Sequence, residues 1–276
     1  MIAVCITTYN HAAYIETCVQ SVLSQVCDQP LSIYIGDDAS TDATAAICQR
    51  LAKADPRIRF CQRPNNIGLV ENTLLLYEQI LQDGCEMIAM LDGDDYWTDS
   101  SKLQVQIDYL RAHPEVGLVH TGALIESDGQ RTPQNESDIP SGDLSRCYDL
   151  RGAGQTNCTV LFRSKLLRTD EIRAIRLQRF PVLDYPLYGL FAQRTRFAFL
   201  PEPTAVWRSH SSVSQPRSLS ATLRYQRERI RMWHWLEKCY PGHFHYCRTK
   251  ALAWYLWELF YTLLSGCKTA IFKYLQ

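Results

Sequence analysis

Three carboxylates in four positions, Asp92, Asp94 and Asp95, close the segment Met90-Leu-Asp-Gly-Asp-Asp-Tyr-Trp97, directly after the apolar run Met87–Leu91. Like charges at that spacing repel, so the cluster asks for a positive partner. Carboxylate oxygens suit Mg2+ or Mn2+, and an ion held by only one or two of them keeps positions for phosphate oxygens. A calcium loop of the EF-hand kind is excluded. Counted from Asp92, its glycine and its bidentate glutamate would fall on Trp97 and Leu103. The plain alternative is a turn and helix cap ahead of Lys102. Two further polar clusters also follow apolar runs: Thr7-Thr-Tyr-Asn10 after Ile2, and Asp37-Asp38 after Leu31–Ile35.

The first half of the chain must hold these clusters in place, and its pattern says how. Strands are predicted at Ile2–Thr7, Leu31–Ile35, Ile58–Cys61 and Met87–Leu91. Helices are predicted between them: one presents Ile15, Val19, Val22, Leu23 and Val26, one carries Ala45, Ala46, Ile47 and Leu51, and one covers Val70–Leu81. Near-continuous apolar strands alternating with amphipathic helices imply an α/β fold with a mostly parallel sheet covered on both faces. Ligands of such sheets gather beyond the carboxyl ends of the strands. That rule brings Thr7–Asn10, Asp37-Asp38 and Asp92–Asp95 to one edge.

The second half is less regular. A helix at Lys102–His113 stops before Pro114, a strand at Val116–Ile125 turns at Asp128-Gly129, and residues 130–145 read as a loop. Further strands are expected at Thr159–Phe162, Arg196–Leu200 and Ala205–Trp207, with a helix at Tyr185–Gln193. From Ser218 two helical stretches follow, broken at Pro241-Gly242.

The chain has 276 residues, 46% of them apolar, with Lys+Arg and Asp+Glu both 29. A zero formal balance gives no basic excess for a nucleic-acid partner. The cysteines number 11, and none forms a C-x-x-C pair; they read as small hydrophobes of a reducing compartment. Because Met1-Ile-Ala-Val-Cys-Ile6 already reads as a strand, no signal peptide is expected and the protein is expected to be cytoplasmic. The sequons Asn135-Glu-Ser137 and Asn157-Cys-Thr159 are accordingly taken as chance.

Four segments in this order and spacing, Thr7-Thr-Tyr-Asn10, Ile35-Gly-Asp-Asp-Ala-Ser-Thr-Asp42, Asn66-Ile-Gly68 and Leu91-Asp-Gly-Asp-Asp95, resemble the successive signatures of family 2 glycosyltransferases. The resemblance runs over residues 1–215 and implies a GT-A fold and an inverting, metal-dependent hexosyl- or hexosaminyltransferase. By it, Thr7 and Tyr9 line the nucleoside pocket, and Asp38 accepts a hydrogen bond from the base, favouring a UDP- or dTDP-sugar. Asp92 and Asp94 match the family's D-x-D pair at ribose and metal, with Asp95 a further ligand. Relatives carry Arg-Asn where Glu71-Asn72 stands here, which leaves Arg63 as the candidate cation beside the donor. The resemblance also implies a downstream aspartate as acceptor base. Asp184, in Phe180-Pro-Val-Leu-Asp-Tyr-Pro-Leu187, matches in position and is the only carboxylate between Glu171 and Glu202. A helix cap is the plainer role for it, and both can coexist. The run Trp207-Arg-Ser-His-Ser-Ser-Val-Ser214 matches the last signature, with His210 reaching the metal or diphosphate and Arg208 neutralising phosphate charge.

The expected organisation is a catalytic domain over residues 1–217, with a nucleotide-sugar half (1–100) and an acceptor half (101–217), and a helical extension over 218–276. The extension carries Arg224, Arg227 and Arg231 on one helical face and an aromatic segment at Ala251–Leu264, shorter than the ~20 residues that span a bilayer. It either packs on the domain or on a second copy, or rests on the inner face of a membrane beside a lipid-linked acceptor. The acceptor is otherwise a growing glycan, as in bacterial surface polysaccharide synthesis. Two rivals stand: a nucleotidyltransferase making the nucleotide sugar, and a non-catalytic nucleotide-sugar- or glycan-binding relative. The first would need a glycine-rich basic loop after the first strand, and Thr7–His11 has neither glycine nor Lys/Arg.

Overall fold

The computed structural model describes residues 1–134, 156–209 and 219–241. Its first half follows the expected alternation: β1 (Ile2–Thr8), α1 (Ile15–Leu23), β2 (Leu31–Asp37), α2 (Thr44–Ala54), β3 (Ile58–Gln62), α3 (Leu69–Gln82) and β4 (Met87–Asp92). Then come β5 (Tyr96–Trp97), α4 (Lys102–Ala112), β6 (Val116–Ser127), β7 (Gln130–Pro133), β8 (Leu161–Arg163), α5 (Thr169–Gln178), α6 (Asp184–Phe191), β9 (Arg196–Arg208) and α7 (Leu219–Cys239). The strands form one sheet in the order β3-β2-β1-β4-β8-β6-β9-β5, with β7 beside β6.

β1 is parallel to β2 and β4, and β2 to β3. β8 runs antiparallel between β4 and β6, so β6 and its parallel neighbour β9 point the same way as β4. Side chains alternate along β1 because the strand period is two. Ala3 and Cys5 join Tyr77, Phe162 and Phe191 under α3, α5, α6 and α7. Ile2, Val4 and Ile6 join Val19, Leu51 and Leu103 under α1, α2 and α4. The sheet is therefore covered on both faces. Helix α7 belongs to the first layer, where Met232, Trp233 and Leu236 are buried.

Five local differences from the sequence expectation have physical causes. Gln130–Pro133, expected as the start of a loop, is strand β7, paired antiparallel with β6 after the turn; its residues are all exposed, so no apolar alternation marks it. The two short strands at 196–207 are one strand, β9, whose register against β6 slips around Thr121 and Gly122 and so looks broken in sequence. Asn157–Thr159 forms a 3-10 turn ahead of β8 rather than part of the strand. Strand β5 is only two residues long, too short to show alternation. Helix α5 escapes a sequence reading because it carries few apolar residues; Ile172 and Ile175 are its buried ones. The Ser/Pro-rich stretch at 135–145 and the second C-terminal helical segment lie outside the described residues. The described cysteines are free thiols. No helix among the described residues is long and apolar enough to cross a membrane.

Candidate active site

Register builds the site. Thr7 of β1 stands opposite Gly36 of β2 and Asp92 of β4, so the three strands end level. The chain leaves each end through a tied turn: Asp38 N–H donates to the Thr8 carbonyl at 2.9 Å, and Gly93 N–H to the Thr7 carbonyl at 2.9 Å. The turn after β1 carries Asn10 at a φ of 56°, a conformation asparagine tolerates better than most residues. Its side chain accepts from Thr41 N–H at 2.8 Å, while its own N–H donates to Ser40 Oγ at 2.9 Å. The loops after β1 and β2 are thereby latched together before any ligand arrives.

Between them lies a cleft of about 1090 Å³ whose walls include Thr7, Tyr9, Asp38, Asp92, Asp94 and Arg208. Six of the residues expected at a donor site thus share one cavity. Tyr9 is 42% exposed, leaving its ring face open. Asp38 is buried and accepts from the N–H groups of Ile67 at 2.7 Å and Gly68 at 2.9 Å, which fixes the Asn66-Ile-Gly68 segment as the cleft's side wall. Gly68 has a φ of 87°, the left-handed region that favours glycine, as the chain enters α3. Asp38 retains further lone pairs, since a carboxylate offers about four acceptor positions.

The acidic turn divides its labour. Asp92 accepts from Thr7 Oγ1 at 3.1 Å and from Asn157 Nδ2 at 3.4 Å. Burial first, then the charge of Asp94, push its carboxyl up to about 6. Asp94 faces the cleft, with Nε2 of His11 3.8 Å from its Oδ2. Asp95 is only 1% exposed, and its Oδ1 accepts from the backbone N–H of Arg208 at 2.8 Å, which anchors the turn to β9. Burial and the neighbouring Asp92 and Asp94 raise it well above the ordinary carboxylate value. Gly93 is required sterically: a Cβ there would stand 2.7 Å from Thr8 Oγ1 and 2.9 Å from His11 Nδ1. Among the described residues no three His, Cys, Asp or Glu side chains converge as a complete metal cage. Two adjacent carboxylates at a cleft mouth, one with its ionised form disfavoured, do fit an ion that takes its other ligands from phosphate.

Arg208 lines the cleft but is already engaged. Its Nε donates to Glu126 Oε1 at 3.1 Å, another nitrogen donates to the Asp94 carbonyl, and its plane lies 4.4 Å from the Tyr96 ring centroid. Arg63 stands behind the cleft, not in its lining. Its Nε donates to Asn72 Oδ1 at 2.8 Å, Asn72 Nδ2 donates to the Gly36 carbonyl at 2.8 Å, and Nη2 of Arg63 is buried without a hydrogen-bond partner. Glu71 points away to an ion pair with Arg176 at 2.9 Å. His210 lies outside the described residues.

Asp184 is the first residue of α6, exposed, with Oδ1 accepting from Tyr185 N–H at 2.8 Å. Crowding by protein holds its carboxyl above the ordinary value, while the two backbone hydrogen bonds and the Arg229 charge oppose that shift. One turn on, Tyr188 Oη donates to Asn157 Oδ1 at 2.8 Å, and Asn157 passes the contact to Asp92. A hydrogen-bonded line therefore joins the Asp184 helix to the acidic turn. Sequence reasoning missed Asn157, Tyr188, His11 and Glu126. The sequence carries no signal for Asn157, because the antiparallel direction of β8 that brings it to this edge is set only by strand pairing.

Comparison with known proteins gives the family and the fold. The model of glycosyl transferase family 2 matches residues 3–170. The uncharacterized protein Rv1520 of Mycobacterium tuberculosis is 32% identical over 212 residues, 74% of this chain and 57% of that protein. The chain thus spans a little over half the length of the mycobacterial relatives it matches. Among solved structures, a mannosyltransferase from Pyrobaculum calidifontis in complex with GDP-Man and Mn2+ superposes with a TM-score of 0.63 at 19% identity, covering 98% of this chain and 75% of that one. S. aureus TarS 1-349 in complex with UDP-GlcNAc gives 0.58 at 17% identity, covering 90% and 74%. These likenesses establish a GT-A-type fold. With the family match spanning more than half its length, the chain belongs to glycosyl transferase family 2.

Proposed function

We propose that this chain is a metal-dependent inverting glycosyltransferase that moves a sugar from a UDP- or dTDP-sugar to a glycan or lipid-linked acceptor during assembly of a bacterial surface polysaccharide. The observation that carries the reading is the shared cleft: Tyr9, Asp38, Asp92 and Asp94 face one cavity, and Asn157 and Tyr188 link it to the helix that begins with Asp184. Donors bound by solved neighbours, UDP-GlcNAc for TarS and GDP-Man with Mn2+ for the mannosyltransferase, support a nucleotide sugar as the ligand class.

In this reading Tyr9 offers a ring face to the base, and Asp38 uses a remaining lone pair for the ring N–H of uracil or thymine. Asp92 takes the ribose side. Asp94, the more open carboxylate, is the direct metal ligand, and Asp95 holds the turn from behind. His210 completes the set. A divalent ion, Mn2+ or Mg2+, would neutralise the diphosphate as it leaves. Arg208, held at the rim by Glu126, adds a fixed positive charge there. Arg63 acts through Asn72, which braces the end of β2 behind the base pocket.

Asp184 receives the proton of the acceptor hydroxyl as that oxygen bonds to the anomeric carbon and the bond to the diphosphate breaks. A carboxylate with a raised proton affinity, open to solvent on one side, suits a general base. The helix start gives it a fixed orientation through Tyr185 N–H. A panel of nucleotide sugars, screened with and without Mn2+ for thermal shift and slow hydrolysis, tests the reading. Stabilisation by a UDP- or dTDP-sugar with Mn2+ is expected; no response to any nucleotide sugar would overturn it.

A further inference from the structure

A second groove, of about 930 Å³, lies on the far side of Gly68 and Leu69, the two residues it shares with the donor cleft. Its walls include Ile67, Leu69, Phe180 and Pro181, and its charged lining is Glu71, Arg176 and Arg179. Pro181 is three residues before Asp184, so the groove borders the chain segment that enters α6. We propose that this groove seats the acceptor and that the acceptor is a lipid-linked phosphate: an apolar chain joined through phosphate to the sugar whose hydroxyl attacks. The proposal rests on the glycosyl-transfer reading and narrows its acceptor to one class.

The two arginines differ. Arg176 is neutralised by Glu78, through two hydrogen bonds of 2.9 and 3.1 Å, and by Glu71 at 2.9 Å. Arg179 is exposed, and no carboxylate among the described residues pairs with it. Its backbone is fixed: φ is 51°, and Arg231 donates to the carbonyls of Gln178 at 2.7 Å and Arg179 at 3.3 Å while its guanidinium lies 4.7 Å from the Phe180 ring centroid. The positive charge of Arg179 therefore has no carboxylate partner among the described residues but a firm seat. Arg224 and Arg227 are also exposed and continue the Arg231 face along α7.

The apolar side is equally unbalanced. Ile67 and Leu69 are 39% and 51% exposed, two of the six large hydrophobic residues exposed among those described, and both line this groove. A sugar acceptor with no lipid would call for hydrogen-bonding groups along such a wall, and aliphatic side chains supply none. A free phosphate would use Arg179 and leave the apolar wall idle. An amphiphilic anion uses both. Arg179 and Asp184 are five residues apart, at most about 18 Å of chain, a span that a diphosphate and a short sugar chain can bridge. Transfer then proceeds as above: the sugar hydroxyl gives its proton to Asp184, its oxygen bonds to the anomeric carbon, and the nucleoside diphosphate departs.

Calorimetry on the full chain with UDP and Mn2+ at saturation tests the groove alone, using farnesyl diphosphate, inorganic diphosphate and farnesol as probes. Farnesyl diphosphate is expected to bind at least about tenfold more tightly than either other probe. Arg179→Asn, chosen because asparagine accepts the same φ, and Ile67→Gln, at an exposed position, should each weaken it by about fivefold or more, with circular dichroism unchanged. Equal affinity for inorganic diphosphate, equal affinity for farnesol, no binding at all, or unchanged affinity in both variants would each overturn the proposal. A chain that binds farnesyl diphosphate but never UDP would sink the transferase reading instead and leave the lipid-phosphate groove standing. UDP binding without farnesyl diphosphate binding would sink the groove alone.

Discussion

The two halves of the sheet present functional groups in opposite ways. In β1, β2 and β4 the strands are parallel and end level, and each delivers its polar cluster at its carboxyl end. On the other side, β8 arrives antiparallel, so its leading turn brings Asn157 to the same edge, while Asp184 comes from a helix start and Arg208 from the end of the irregular β9. The donor side is thus a product of strand register, and the acceptor side a product of packing between elements far apart in sequence. Errors of one residue in a strand would scramble the first, because neighbouring residues face opposite layers. The second depends on single hydrogen bonds and tolerates more variation in chain path.

If the halves divide binding from chemistry, substitutions should separate them. Asp184→Asn should lower kcat by about 10²- to 10⁴-fold, the usual worth of a general base, with Mn2+-dependent UDP affinity unchanged by calorimetry; retained turnover would remove Asp184 from the mechanism. Gly93→Ala attacks the donor side, since its Cβ would press on Thr8 and His11. It should cost about 1–3 kcal/mol of stability and at least about tenfold in UDP affinity; a variant of wild-type melting temperature would show that the turn has slack.

Asn157→Ala sharpens the comparison, because Asn157 touches both halves. Losing its two hydrogen bonds should cost about 1–2 kcal/mol and lower kcat more than donor affinity; the reverse split would mean that Asn157 serves Asp92 alone.

The mildest test is pH. Burial and the charge of Asp94 push the Asp92 carboxyl from its ordinary range up to about 6 in the folded protein, and Asp95 moves in the same direction. The folded state then holds protons at the acidic turn that the unfolded chain releases, so the stability contributed by this turn falls as pH rises from about 4 through about 6. Asp28, Asp42, Asp55, Glu126 and Asp170, whose carboxyls are held low, set the opposite trend; the turn's share is the difference between the metal-free protein and its Asp92→Asn variant. For half-buried Asp92 the loss is about 2 kcal/mol. Mn2+ and UDP favour the ionised carboxylates, so their affinity should increase over the same range. Thermal melts of the protein and of Asp92→Asn at a series of pH values, with and without Mn2+ and UDP, measure both trends; a metal-free difference between the two that does not change between about pH 4 and 6 would contradict the site electrostatics.

Much of the donor half is legible in the sequence. Buried parallel strands need apolar side chains on both faces, and polar residues collect only where the strands run out, so Thr7, Asp38 and Asp92 announce themselves. Asp184 was visible as an isolated carboxylate ahead of a helical pattern. Asn157 was not, because nothing in Asn157-Cys-Thr159 marks which end of the next strand meets the site. Arg63 and Asp95 show a further limit. Both have the right type and place, yet one is turned behind the cleft to brace Asn72, and the other is buried as an anchor for β9.

The sequence by itself determined the strand–helix alternation, the acidic turn and the site's broad chemistry, because burial and like-charge repulsion act on residue type and spacing. Only the tertiary structure decided how Asp92, Asp94 and Asp95 divide their hydrogen bonds and exposure around the cleft, and that Asn157 and Tyr188 couple it to the helix that begins with Asp184. Among the described residues it also left Arg179 without a counter-charge beside an apolar groove, while Arg176 found two. Those outcomes depend on which distant groups become neighbours, and hydrogen bonds and ion pairs act over only a few ångströms once the sheet has closed.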